Sequence, residues 1–269
     1  TIANVAELAG VSQATVSRAL RGATNVTEET RIKVQRAADQ LNFTLSKSAS
    51  ALASGKTMRV ILLVSGKLNE WFNSGVLQGV YEELAPVGYD VTPAFITDRS
   101  ELDRFFSQLP KSRNADAIII SSFQLMPAMR DQLQAIDLPT VGVNVPAESG
   151  YFDASISIDN SSAMTMAVRL LRSLGHTNIA FCSDYIPADM VYNTSQRTQA
   201  FADAAQANAT DGITFSLLTA DAHDAPLSKS DLASQLTAKL LSLPERPTAV
   251  CVETDQVAIA LVKELRKQQ

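Results

Sequence analysis

Val5-Ala6-Glu7-Leu8-Ala9-Gly10-Val11-Ser12-Gln13-Ala14-Thr15-Val16-Ser17-Arg18-Ala19-Leu20 is the stretch on which the reading of this chain turns. It spells two short helices joined by a tight turn. Thr1 supplies an N-cap oxygen for a first helix over Ile2–Ala9, whose apolar side is Val5, Ala6, Leu8 and Ala9. Gly10 stops that helix, because a residue without a Cβ takes positive φ at no steric cost, and Val11 plugs the corner. Ser12 caps the second helix. There Val16, Ala19 and Leu20 share an inward face, and Gln13, Ala14, Ser17, Arg18 and Arg21 point away.

The outward residues suit the major groove of DNA. An Arg fork matches guanine O6 and N7, Gln matches adenine N6 and N7, and Ala or a Thr methyl meets the thymine methyl. In helix-turn-helix proteins the start of the second helix meets the base edges, so Gln13 and Ala14 are expected to set much of the sequence preference. With Thr1, Ser12, Thr15 and Asn25 they complete the expected DNA-contacting set. A third helix is capped by Thr27, carries Glu28 and Glu29 at the positive end of its dipole, and buries Val26, Thr30, Val34, Ala37 and Leu41. The competing reading is a small helical bundle with no DNA, which does not require this turn grammar.

The 5–20 run resembles the signature of the lactose-repressor (LacI/GalR) family of bacterial regulators. The similarity continues through Val26-Thr27-Glu28-Glu29-Thr30-Arg31, Leu41-Asn42-Phe43 and Ala51-Leu52-Ala53-Ser54-Gly55-Lys56-Thr57. The resemblance implies a helix-turn-helix domain over 1–43, a hinge over 44–58 and an effector-binding and dimerisation body over 59–269. In that hinge Leu52 is the apolar wedge for the minor groove and Ala53 its small neighbour; two such wedges at a dimer axis would kink a pseudo-palindromic operator. Leu45 stands where family hinges often begin with Pro. A plain linker with a chance leucine is the duller reading of the same segment.

Charge supports a split chain. The 269 residues carry a net charge of −5, yet residues 1–58 hold seven Lys/Arg against four acids and the remainder 16 against 24. Phosphate contact therefore belongs at the N-terminus, and an acidic body is kept off the DNA. The composition is 46% hydrophobic, enough for a substantial core. Cys182 and Cys251 end apolar runs and read as small buried hydrophobes rather than a disulfide. No secretory signal pattern or membrane-length apolar run is present, which points to a cytoplasmic protein away from membranes. An opening Thr in place of Met suggests a trimmed chain.

From Arg59 onward, β-rich runs alternate with amphipathic helical stretches. Strands are predicted at 60–65, 89–96, 116–121, 140–145, 179–182, 214–218 and 249–252. Helices are predicted at 73–84, 100–109, 126–136, 161–174, 195–208, 230–241 and 256–266. Crossover helices make the sheets parallel, so the fold class is an all-α reader followed by an α/β body. By resemblance that body is the two-lobed fold of periplasmic sugar-binding proteins, with a first lobe over about 59–146 and a second over about 159–269. The chain ends at Gln269, before the last lobe crossovers that the resemblance implies.

Ligands of such sheets sit outside the carboxyl ends of the strands. Trp71 and Phe72 follow the first strand and offer aromatic faces to a sugar or a base. Ser121 and Ser122 follow the third strand, and Asn144 the fourth, where many sugar-binding relatives carry Asp. Arg197 resembles the family's effector-reaching Arg, and Thr254-Asp255 resembles its Asn-Asp pair, with Thr in place of Asn. Each has a plainer role: packing for Trp71, an ion pair at a helix start for Arg197, an N-cap for Asp255.

The resemblance implies a homodimeric repressor of carbohydrate genes, allosterically controlled by a sugar-type effector. A purine-type co-repressed regulator and an exported solute-binding protein are the alternatives. An enzyme is disfavoured: there is no Gly-rich phosphate loop, the imidazoles are only His176 and His223, and no nucleophile–base pair stands out. No cofactor or metal is expected.

Overall fold

The computed structural model describes residues 1–44, 56–66, 68, 70–112, 114–145, 152–185, 192–209, 212–222 and 227–268. It opens with α1 (Ile2–Ala9), α2 (Gln13–Leu20) and α3 (Glu28–Gln40). Each starts at a hydroxyl. Thr1 Oγ1 accepts from the Asn4 N–H at 3.4 Å, Ser12 Oγ from Thr15 at 3.1 Å and Thr27 Oγ1 from Thr30 at 3.4 Å. Gly10 ends α1 in the left-handed region at φ 65°, and the Val11 N–H reaches back to the Ala6 carbonyl at 3.0 Å.

Val5, Val16 and Val34 lie fully buried where the three helices meet, with Ala6, Ala19, Ala37 and Ala38 letting the backbones close in. Two expected core residues lie outside. Leu8 is 48% exposed, because the face centred on Ile2, Val5, Ala6 and Ala9 leaves it on the flank of α1. Leu41 is 41% exposed, because α3 ends at Gln40 and the chain turns there; Ala38 takes the inward place.

The body holds two all-parallel sheets. The first has strand order β2-β1-β3-β4-β5, from β1 (Arg59–Ser65), β2 (Asp90–Ile96), β3 (Ala117–Ser121), β4 (Thr140–Val143) and β5 (Ala154–Ile156). The helices between these strands are α4 (Trp71–Leu84), α5 (Arg99–Ser112) and α6 (Pro127–Ala135). The second sheet has order β7-β6-β8, from β6 (Asn178–Ser183), β7 (Thr214–Thr219) and β8 (Ala249–Val252). It is accompanied by α7 (Asn160–Ser173), α8 (Asn193–Ala207), α9 (Lys229–Ser242) and α10 (Asp255–Arg266).

Near-continuous apolar runs explain β1, β3 and β6, since a parallel strand is covered on both faces. Leu63, Phe106, Ile118, Ile120 and Phe123 fill one side of the first sheet. In the second lobe Cys182 packs with Leu232 and Leu236, while Cys251 packs against Phe181 and Phe201 on the opposite face. Both thiols are free, and burial pushes them up, that of Cys182 to about 12.

β5 was not expected. It is three residues long, exposed throughout and without alternation, and it exists through its pairing with Val141–Val143 of β4. Among the described residues no helix is long and apolar enough to cross a membrane.

Candidate DNA-reading face and ligand cleft

The outer face of α2 presents Gln13, Ala14 and Arg18 to solvent, with Ser17 half-buried and Arg21 exposed just past the helix end. Both arginines fold back on their own helix. Arg18 Nε donates to the Ala14 carbonyl at 3.2 Å, and Arg21 Nε donates to the Ser17 carbonyl at 3.1 Å. Thr15 Oγ1 lies 2.9 Å from Ser12 Oγ, so those two hydroxyls are shared between capping and the surface. Thr1 donates to Asn4 Oδ1 at 2.8 Å, and Asn25 is exposed in the turn before α3. Arg31 braces that turn by donating to the Ala23 carbonyl at 3.2 Å. Leu52 and Ala53, the expected wedge, lie outside the described residues.

Where the chain enters the body, Asp116 grips it. Asp116 Oδ1 accepts from the Thr57 N–H at 2.8 Å and from its hydroxyl at 2.9 Å, while Oδ2 accepts from the Met58 N–H at 3.0 Å. Burial alone would raise this carboxyl's pKa; the three hydrogen bonds outweigh it and hold the pKa below its ordinary value.

A cleft of about 650 Å³ opens at the carboxyl ends of the strands of both sheets. Its first-lobe wall holds Glu70, Trp71, Phe72 and Asn73 at the start of α4, then Ser122 after β3 and Asn144 after β4. Its second-lobe wall holds Asp184 and Tyr185 after β6, Glu253 to Asp255 after β8, Arg197 on α8 and Lys229 on α9. Seven of the eight sequence-derived effector residues thus come together. Ser121 does not: as the last residue of β3 it is fully buried, and the strand end puts Ser122 into the cleft instead.

Side-chain contacts cross the mouth of the cleft. Trp71 Nε1 donates to Asp255 Oδ1 at 3.3 Å, and Lys229 Nζ lies 3.9 Å from Glu70 Oε1. Trp71 is 63% exposed and meets Phe72 edge to face at 5.7 Å, so its ring remains open to a ligand. Asp255 is not the N-cap of α10. Thr254 fills that role, its Oγ1 accepting from the Val257 N–H at 3.4 Å.

A buried amide ladder forms below. Asn144 donates to Ser122 Oγ at 3.2 Å and accepts from Asn193 Nδ2; Asn193 Oδ1 in turn accepts from Asn160 Nδ2 at 2.8 Å. Arg197 Nε donates to Asn160 Oδ1 at 3.1 Å, and its Nη1 to the Glu253 carbonyl at 2.5 Å. The ladder therefore runs from the end of β3 to the end of β8. Ser122 and Asn144 both sit in the left-handed region, φ 73° and 53°, a conformation that carries a steric cost and gathers at functional sites. Glu253 is only 8% exposed. Burial pushes its carboxyl up to about 7, against the lowering effect of the Asp184 N–H, Lys229 and Arg197.

Sequence reading missed Glu70, Asp184, Tyr185, Lys229 and Glu253. Asp184, Tyr185 and Glu253 each follow a predicted strand, so the strand-end rule could have found them. Asn193 and Asn160 carry no such signal. Among the described residues no group of three or more His, Cys, Asp or Glu could hold a metal ion.

A helix-turn-helix reader on a body of two parallel sheets, with a cleft at their strand ends, defines a DNA-binding regulator built on a binding-protein fold. Residues 1–46 match the bacterial regulatory proteins of the lacI family, and residues 168–269 match the periplasmic binding protein-like domain. The HTH-type transcriptional repressor PurR of Vibrio cholerae is 30% identical over 271 residues, covering 100% of this chain and 77% of the relative. The Lac repressor dimer bound to operator and the anti-inducer ONPF superposes with a TM-score of 0.80 at 22% identity, over 100% of this chain and 78% of the other. The CelR–cellobiose complex superposes with a TM-score of 0.60 at 25% identity, again over 100% and 78%. The chain belongs to the LacI family of bacterial transcriptional regulators. Like its relatives it is a transcriptional regulator rather than an enzyme.

Proposed function

We propose that the protein is a cytoplasmic homodimer that holds a pseudo-palindromic operator through its two readers and changes its grip when a sugar-type small molecule enters the cleft. The reader is residues 1–43, the hinge 44–58 and the effector body 59–269. Gln13, Ala14, Ser17, Arg18 and Arg21 read bases or phosphates, and Leu52 with Ala53 enters the minor groove. The regulated genes serve carbohydrate use.

One observation carries this reading: the cleft is lined from both lobes and crossed by the Trp71–Asp255 hydrogen bond. A ligand seated there has to replace or strengthen a contact between lobes, and so biases their arrangement. If that arrangement sets the separation of the hinges, ligand and operator are linked, and a coupling of about 1–3 kcal/mol changes operator affinity roughly five- to 150-fold. The aromatic wall beside polar groups suits a sugar ring, and the cellobiose complex of the similar CelR supports that class.

The test is operator binding at fixed salt, titrated with mono- and oligosaccharides, sugar phosphates and purines. A saccharide that shifts operator affinity at least five-fold is the expected result. A shift produced by purines alone overturns the sugar reading, and no shift from any compound overturns the effector role of the cleft.

A further inference from the structure

The charges lining the cleft are unequal. Glu70, Asp184, Glu253 and Asp255 face a space whose only lining cations, among the described residues, are Arg197 and Lys229. Both cations already have protein partners. Arg197 spends Nε and Nη1 on the Asn160 side chain and the Glu253 carbonyl, and Lys229 lies 3.9 Å from Glu70. Glu253 is more than nine-tenths buried, accepts a hydrogen bond from the Asp184 backbone N–H, and has no ion pair among the described residues. Among the described residues the lining acids outnumber the lining cations four to two, so a phosphorylated or carboxylated ligand would bring a further negative charge into a surrounding that is already net negative.

We infer that the cleft takes a polyhydroxylated ligand bearing a protonated amine, of the amino-sugar class, with Glu253 as the buried counter-charge and Asp184 and Asp255 beside it. The inference rests on the effector reading above and narrows it. Trp71 and Phe72 cover the apolar face of the ring, and the amide and hydroxyl groups of Asn144 and Ser122 meet its hydroxyls. The ammonium is the part a neutral sugar lacks: it gives a buried carboxylate the compensation that makes burying a charge tolerable. Near neutral pH the Glu253 carboxyl holds a proton part of the time, since burial lifts it to about 7. Binding then balances as Glu253 carboxylic acid plus ligand ammonium giving the carboxylate–ammonium pair and one proton released to solvent.

The experiment is calorimetric titration of the full chain with matched sets at several ring stereochemistries: glucosamine, galactosamine and mannosamine, their parent hexoses, and the corresponding hexose 6-phosphates. Repeating each set in buffers of different ionisation enthalpy reads proton release. The amine is expected to bind about ten-fold tighter than its parent hexose, with proton release at pH 7 and no phosphate binding, because ten-fold is the scale of one additional charge pair. In Glu253→Gln the preference falls to within about two-fold and proton release disappears. Asp255→Asn, at an exposed helix start, lowers the preference without touching the core, and decides the matter together with proton release should Glu253→Gln fail to fold. Equal binding of amine and parent hexose, or tighter binding of a phosphate, overturns the inference and leaves the saccharide reading standing. Binding of no saccharide at all overturns that reading, and the inference with it.

Discussion

The carboxylate of Asp116 accepts both the backbone N–H and the hydroxyl of Thr57, at 2.8 and 2.9 Å, and so fixes the point at which the reader's connection joins the first sheet. Asp116→Asn replaces one acceptor oxygen by an amide that faces the Met58 N–H, donor against donor. We expect a loss of about 1–3 kcal/mol of stability, the usual result of unmatching hydrogen bonds to a charged group. A lowered urea midpoint at unchanged m-value would show it. The pKa of Asp116 is held below its ordinary value, so its contribution is present above the normal carboxylate range and is lost as pH falls through the folded pKa. The acid side of the stability profile should therefore be shallower in the variant.

The helix-turn-helix was legible because its signals are local: a capping hydroxyl, a glycine that takes φ 65°, and an inward face of Val16 and Ala19. The alternating strands and helices were legible for the same reason, since periodicity is written in neighbouring residues. What escaped depends on distant partners. β5 is a strand only because β4 lies beside it, and Asn193 matters only because folding brings it to Asn144 and Asn160, 49 and 33 positions away. Glu253 reads as an ordinary charged residue after a strand until burial is known. Ser121 and Ser122 show the limit of strand-end reasoning, since one residue decides which hydroxyl enters the cleft and which the core.

Trp71 is the single tryptophan of the chain, and its indole stands open at the cleft mouth. A ligand stacking there removes water from the ring, so its emission should move to the blue in proportion to occupancy. Trp71→Ala should weaken saccharide binding by about 0.5–1.5 kcal/mol, roughly two- to twelve-fold, the range for one aromatic contact beyond its buried area. Trp71→Phe keeps a ring but loses the N–H to Asp255, and should fall between the two. Emission unchanged at saturating ligand would place the ligand away from this ring.

Glu253 should give stability a second pH dependence, opposite in sign to that of Asp116. Its carboxyl is raised from an ordinary value near 4.5 to about 7, so between those values the folded chain binds more protons than the unfolded one. Stability is then greatest on the acid side and declines as pH rises through about 7. The groups acting on it are Asp184, through its N–H and its charge, and Lys229 and Arg197. The full decline is on the order of 3 kcal/mol for a shift of this size. Glu253→Gln should flatten the profile between about pH 4.5 and 7, as read by thermal or urea unfolding across that range. A profile as steep as that of the parent protein would assign the slope to another group.

Arg18 tests the reader without disturbing its core. Its side chain is exposed, and its Nε donates to the Ala14 carbonyl of its own helix at 3.2 Å, so Arg18→Ala should change stability by no more than about 0.5 kcal/mol. On DNA the consequences divide cleanly. If the guanidinium leaves that carbonyl to pair with a guanine edge, the substitution costs about 1–3 kcal/mol on the specific operator and relaxes selection at one base pair. If it meets a phosphate instead, binding weakens to a similar degree on every sequence, and the salt slope drops by about one. We expect the first pattern, because Arg18 lies one helical turn beyond Ala14 on the same outward face as Gln13. Affinities for the operator, for single-base variants of it and for unrelated DNA, each across a salt series, separate the two; a loss uniform across all three would take Arg18 out of the base-reading set.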